Sequence, residues 1–240
     1  MSDDRFDLPA PSFEIAEQDA FIQQFVTRTY GWMSAGLALT AVVALFVASS
    51  PELIQAIFGN RLIFYALIGV EFLLVIGLSA AINKISPAVA TFGFLLYAAL
   101  NGVTLSVILL VYTAASVAST FLITTLTFGG MCLYGTITKR DLTAMGSFMV
   151  MGLWGMVIAS LVNLFFQNSM MQWILGYVGV IVFTGLSAWD AQKLKAMAVA
   201  TRDDTQSAGK ASIMGALTLY LDFINLFLSL LRILGRRNNS

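Results

Sequence analysis

The run Ala211–Leu234, ASIMGALTLYLDFINLFLSLLRIL, decides the fold. A helix needs about 20 mainly apolar residues to cross a bilayer, and this run has that length. Yet a carboxylate, Asp222, sits near its middle. Gly215, Thr218, Asp222, Asn225, Ser229 and Arg232 step by alternating threes and fours, so on a helix they form one stripe. Leu, Ile and Phe cover the rest. A charged side chain in hydrocarbon is costly, so this stripe must face protein, a water-filled cavity or an ion route.

Composition sets the solvent. The chain is 58% hydrophobic and 11% charged, with a mean hydropathy of +0.84, against roughly 25% charged residues in soluble domains. That describes an all-α integral membrane protein whose first partner is the lipid bilayer. Lysine and arginine balance aspartate and glutamate at 13 each, which leaves no basic surface for nucleic acid. The one cysteine, Cys132, lies in an apolar run and rules out an intramolecular disulfide framework. Histidine is absent, which removes His-containing zinc sites and Ser–His or Cys–His nucleophile pairs. Carboxylates remain as the natural pH-responsive groups. No cofactor is expected.

Seven spans are predicted, at 30–49, 61–82, 88–112, 116–138, 145–166, 172–194 and 211–234. Before them, residues 1–29 carry Asp3, Asp4, Asp7, Glu14, Glu17 and Asp19 and lack the apolar core of a cleavable signal. They are expected to form an acidic cytoplasmic lead, partly disordered. Residues 30–234 form the membrane domain, and 235–240 a short polar tail. With seven spans, nine of the 13 lysines and arginines fall on the side of the N-terminus, which places that terminus in the cytoplasm. A last run that dips in and returns would move Arg232, Arg236 and Arg237 to the same side. Its length and unbroken stripe favour a full span.

Other spans carry polar stripes too: Tyr97, Asn101 and Thr104 in the third, Thr120, Thr124 and Thr127 in the fourth, Ser160, Asn163 and Gln167 in the fifth. Such residues can simply hydrogen-bond between helices, or they can wall a polar interior. Three acidic residues bear on the choice. Glu71 is central in the second span and has no basic residue beside it. It is either a neutral glutamic acid bonded to a neighbouring helix or part of an ion pathway. Asp190, in TGLSAWDAQKLKAM, either pairs with Lys193 or Lys195 at the membrane edge or meets Asp222 across antiparallel helices. In the second case the two carboxyls should share one proton.

Paired aspartates on consecutive helices occur in intramembrane aspartyl proteases and in cation or proton pathways. A protease is disfavoured: no glycine precedes Asp222 directly, and no proline follows Pro87. The last helix has no lysine for a retinal Schiff base, which sets aside a light-driven pump. No enzyme is expected.

At this point SAWDAQKLK (187–195) and LTLYLDFINLFLSLLRIL (217–234) resemble the paired signatures of the Bax inhibitor-1 family. The resemblance extends from about Phe25 to Arg232 and favours the bacterial, inner-membrane branch. It implies seven helices with the last one central within a bundle of the other six. It also implies a pH-sensitive calcium leak in which an aspartate pair, here Asp190 and Asp222, is proton sensor and gate. In some relatives a basic residue of the second span latches one aspartate; here only Arg61 and Lys84, at its two ends, are basic. The resemblance implies a possible partner as well, a membrane-bound quality-control protease. On these grounds Asp190 and Asp222 are the expected transient calcium ligands. Glu71, Asn225 and Ser229 are expected along the ion pathway, since a hard cation takes oxygen ligands.

Overall fold

The computed structural model describes residues 10–238, with side chains from Ile15 onward. Among the described residues it is all-helical: α1 (Ala10–Ala48), α2 (Pro51–Phe58), α3 (Arg61–Ala81), α4 (Pro87–Val111), α5 (Ala114–Ile137), α6 (Thr143–Phe166), α7 (Ser169–Ala200) and α8 (Thr205–Leu234). All but the short α2 are long and apolar enough to cross a membrane. The seven expected spans are therefore the seven long helices, with ends shifted by a few residues except at the start of α1, which lies well before residue 30.

Local chemistry sets most of those ends. Asn60, Ser86, Thr113, Asn168 and Asp204 each turn a side-chain oxygen onto a free backbone N–H of the first turn of α3, α4, α5, α7 and α8. Pro51 and Pro87 begin α2 and α4, where no amide hydrogen is needed. Ser49-Ser50-Pro51 thus ends one helix and starts another. The boundary expected at residue 29 is not a break. The backbone is helical from Ala10 straight into the first span, and Phe25 and Thr29 are already buried in the core. The part of the acidic lead before Ala10 lies outside the described residues.

α8 is the most buried long helix. It packs against α1, α4, α5 and α7, while α3 packs on α4 and α6 on α7. The last helix thus has four direct neighbours, with α3 and α6 as an outer pair. Two glycines let α5 and α6 come close to α7. A Cβ at Gly135 of α5 would run into the carbonyl of Ala188 on α7, and one at Gly146 of α6 into the Trp189 ring. The outer faces carry large exposed apolar side chains such as Phe46, Leu126 and Phe165, as lipid contact requires.

α8 crosses the bundle completely. Near its start, Lys210 Nζ donates to the Asn83 carbonyl (3.4 Å), just before α4. Past its end, Thr113 N donates to the Arg236 carbonyl (3.0 Å) and Asn238 N to the Val111 carbonyl (2.9 Å), at the far end of α4. The helix runs alongside α4 for its full length, so the dipping alternative fails.

Candidate functional site

α7 and α8 pack antiparallel, and two contacts give their register. Gly215 of α8 lies against Leu194 of α7, and Gly179 of α7 against Ser229 of α8. In that register Asp222 comes level with Ser187, one turn from Asp190, or ~5 Å along the axis. Both aspartates are buried, at 6% exposure for Asp190 and 5% for Asp222. Both line one cavity, close enough for each to feel the other's charge.

The two carboxyls have unequal surroundings. Asp190 Oδ1 accepts from Lys193 Nζ at 2.8 Å, and that ammonium also sits 4.1 Å from the centre of the Trp189 ring. Asp222 Oδ2 is buried with no protein donor. Two carboxylates this close cannot both stay ionised cheaply. A proton held between them, or a cation, would meet that oxygen. Both alternatives for Asp190 are thus realised at once: it pairs with Lys193 and it meets Asp222. Lys195 is engaged elsewhere, donating to the carbonyl of Thr136.

The pair opens onto a cavity of about 700 Å³ walled by α3, α4, α6, α7 and α8. Glu71 and Asn225 line the same space, as do Tyr97, Asn101 and Thr104 of the third-span stripe. Glu71 is anchored to α4, where it accepts from Asn101 Nδ2 (3.3 Å) and from the Thr104 hydroxyl. Behind it, Tyr220 of α8 donates to Asn101 Oδ1 (3.1 Å), and its oxygen lies 2.7 Å from the Thr40 hydroxyl of α1. A polar chain therefore runs from Glu71 through α4 and α8 to α1.

The structure brings together Asp190, Asp222, Glu71 and Asn225. Ser229 stands apart: its hydroxyl donates to the Asn225 carbonyl (2.7 Å) and its side chain faces Gly179. The other stripes divide. Thr120 and Thr124 are buried away from the cavity, and Thr124 returns its hydroxyl to the Thr120 carbonyl. Ser160, Asn163 and Gln167 line a smaller pocket with Arg232 at the far end of α6. Among the described residues no three His, Cys, Asp or Glu side chains converge as a metal site. The aspartate pair offers a passing cation two carboxylates and no closed cage.

Sequence reasoning passed over Thr40 and Tyr220. Their contact spans 180 positions, and no spacing within either helix announces it. Tyr220 did carry a signal, a phenol two residues before a mid-helix aspartate.

Comparison with known proteins agrees with this architecture. A family model described as "Inhibitor of apoptosis-promoting Bax1" matches residues 22–239. The chain is 52% identical over 228 residues to "Inner membrane protein YbhL" of Escherichia coli (strain K12), covering 94% of this chain and 97% of that one. It is 48% identical over 216 residues to an uncharacterized protein of Borreliella burgdorferi, covering 90% and 93%. It is 37% identical over 224 residues to an uncharacterized membrane protein of Streptococcus pyogenes serotype M3, covering 92% and 96%. With its seven long apolar helices and a match over nearly all its length, the chain belongs to the Bax inhibitor-1 family of membrane proteins.

Proposed function

We propose that this protein is a pH-modulated leak for a hard cation, calcium first, gated at Asp190 and Asp222. One observation carries the reading: Asp190, Asp222, Glu71 and Asn225 line a single cavity inside a bundle of membrane-crossing helices. Ionised, the pair attracts a cation. Protonated, it lets go, and the helices that carry it are freed to shift toward an open arrangement, a change of populations rather than a new structure. Lys193 holds the place next to Asp190 that a cation would otherwise compete for.

The setting we infer is a bacterial inner membrane, in keeping with the name of the Escherichia coli relative. The N-terminus is cytoplasmic, from the lysine and arginine bias. Reporter fusions at both ends test that orientation, and two cytoplasmic ends would sink it.

The deciding experiment is calcium flux into liposomes holding the purified protein, across a pH series, beside the double variant Asp190→Asn/Asp222→Asn. The wild type should leak and the double variant should not respond to pH. A wild type that leaks no more than empty liposomes at any pH would end the leak reading. The protein would then be a non-conducting regulator of a membrane-bound quality-control protease.

A further inference from the structure

The cavity has a side door. Phe72 of α3 and Trp154 of α6 both line it, yet they are 65% and 64% exposed. Val157, one turn beyond Trp154, lines it at 40% exposure. These residues rim a mouth between the two outer helices. Phe72 is near the middle of Arg61–Ala81 and Trp154 near the middle of Thr143–Phe166, so the mouth lies at mid-depth of the membrane. A hydrated inorganic ion cannot approach from there, because hydrocarbon strips its water at great cost. Only a molecule already dissolved among the acyl chains can.

The interior fits one chemical class. Three carboxyl groups and one ammonium, Lys193, line it. That ammonium sits between a carboxylate and an indole ring, the combination that holds organic cations. Asp222 Oδ2 is unpartnered, and its residue is more than nine-tenths buried and lines the cavity. The volume, about 700 Å³, suits an organic ligand of ordinary drug size. We propose that this cavity binds lipophilic organic cations, amphipathic aryl-alkyl ammonium ions that enter sideways from the hydrocarbon between Phe72 and Trp154. The aryl and alkyl parts lie against the aromatic wall, and the ammonium meets the carboxyls.

The test is binding to the full chain in phosphatidylcholine nanodiscs, read both at equilibrium and as the rate of uptake. The probe is a dansylated hexylammonium, and its comparator is the matching dansylated hexanol. The ammonium should bind saturably and at least tenfold more tightly than the alcohol. Glu71→Gln and Asp222→Asn should each weaken it about tenfold. Val157→Trp, at the lipid-facing mouth, should abolish fast entry without disturbing the fold. Should Asp222→Asn fail to fold, Glu71→Gln and Val157→Trp decide between them. Equal binding of ammonium and alcohol would mean an acyl-chain groove and overturn the proposal. So would signals in empty nanodiscs equal to those with protein, or affinity and entry unchanged in the variants. The measurement reads no ion flux, so this site and the leak stand or fall separately.

Discussion

Lys193 Nζ lies 2.8 Å from Asp190 Oδ1, one turn along the same helix. The ion pair that neutralises Asp190 therefore ties no two helices together. A latch from another helix would have to break for the bundle to move, whereas this one travels with α7. Its effect on the proposed gate is therefore electrostatic. Lys193→Gln should leave the fold intact and move the pH of half-maximal calcium flux upward, because the ionised pair loses its nearest positive charge. Liposome flux across a pH series reads this directly, and a downward shift or none would refute it.

Glu71 is held by α4 and backed by the Asn101–Tyr220–Thr40 chain. Glu71→Gln keeps the shape and removes the charge, so flux should fall while the melting temperature barely moves. Tyr220→Phe is the structural counterpart. It strips the partner from Asn101 Oδ1 in a buried site and should cost about 1–3 kcal/mol of stability. If Glu71→Gln leaves flux and its pH dependence untouched, Glu71 is a helix-to-helix anchor only.

The seven spans were legible because each is a long apolar run, and length alone separates a membrane helix from a buried one. The meeting of the aspartates was legible because consecutive spans run antiparallel and each carboxyl lies at a similar depth from the end where the two are joined. What spacing could not show was which stripe faces which space. Tyr97, Asn101 and Thr104 line the cavity while Thr120 and Thr124 are packed away, although the two patterns look alike. Ser229 shares the stripe of Asp222 but lies two turns on, where Gly179 brings α7 close enough to fill the space. The helical start at Ala10 was hidden by acidic residues. Phe21, Phe25 and Thr29, spaced by fours, give that stretch a face that packs on the core.

Gly135 is where α5 touches the backbone of α7 two residues before Asp190. Gly135→Ala must push the two helices apart and should destabilise the protein by about 1–3 kcal/mol. Gly129, on the same helix, has open space where a Cβ would go, so Gly129→Ala should be neutral or slightly stabilising. Thermal unfolding of both variants in one detergent gives the comparison. Equal midpoints would contradict the close approach.

Asp204 caps α8 outside the membrane-crossing segment. The Ser207 hydroxyl and the Gln206 amide both donate to it, which holds its carboxyl below the ordinary 3.8. A depressed folded value means that the cap stabilises the helix start at any pH above that ordinary value. The contribution fades only as pH falls through the lowered one. Hydrogen exchange at the Gln206 amide should stay slow at neutral pH and quicken in Asp204→Ala, with Asp204→Asn close to wild type. No difference between Ala and Asn would show that the side chain does not cap.

The aspartate pair gives the sharpest test, because its two members should act as one unit. Each carboxyl is buried, both line one cavity, and only one has a lysine. Asp190→Asn removes the charge that Lys193 answers, leaving an ammonium over Trp189 without its carboxylate. Asp222→Asn removes the carboxyl with the unpartnered oxygen and lets an amide donate to Asp190. Either change leaves a single carboxyl that no longer shares a proton, so each should flatten the pH dependence of flux. The double variant should add little, since the effect of the second change depends on the first. Two independent effects that sum in the double variant would mean that the carboxyls sense protons separately, and the shared-proton gate would fail. Asp190→Asn/Lys193→Gln separates gating from charge imbalance: it restores neutrality around Trp189, and its flux should be as flat in pH as that of Asp190→Asn alone.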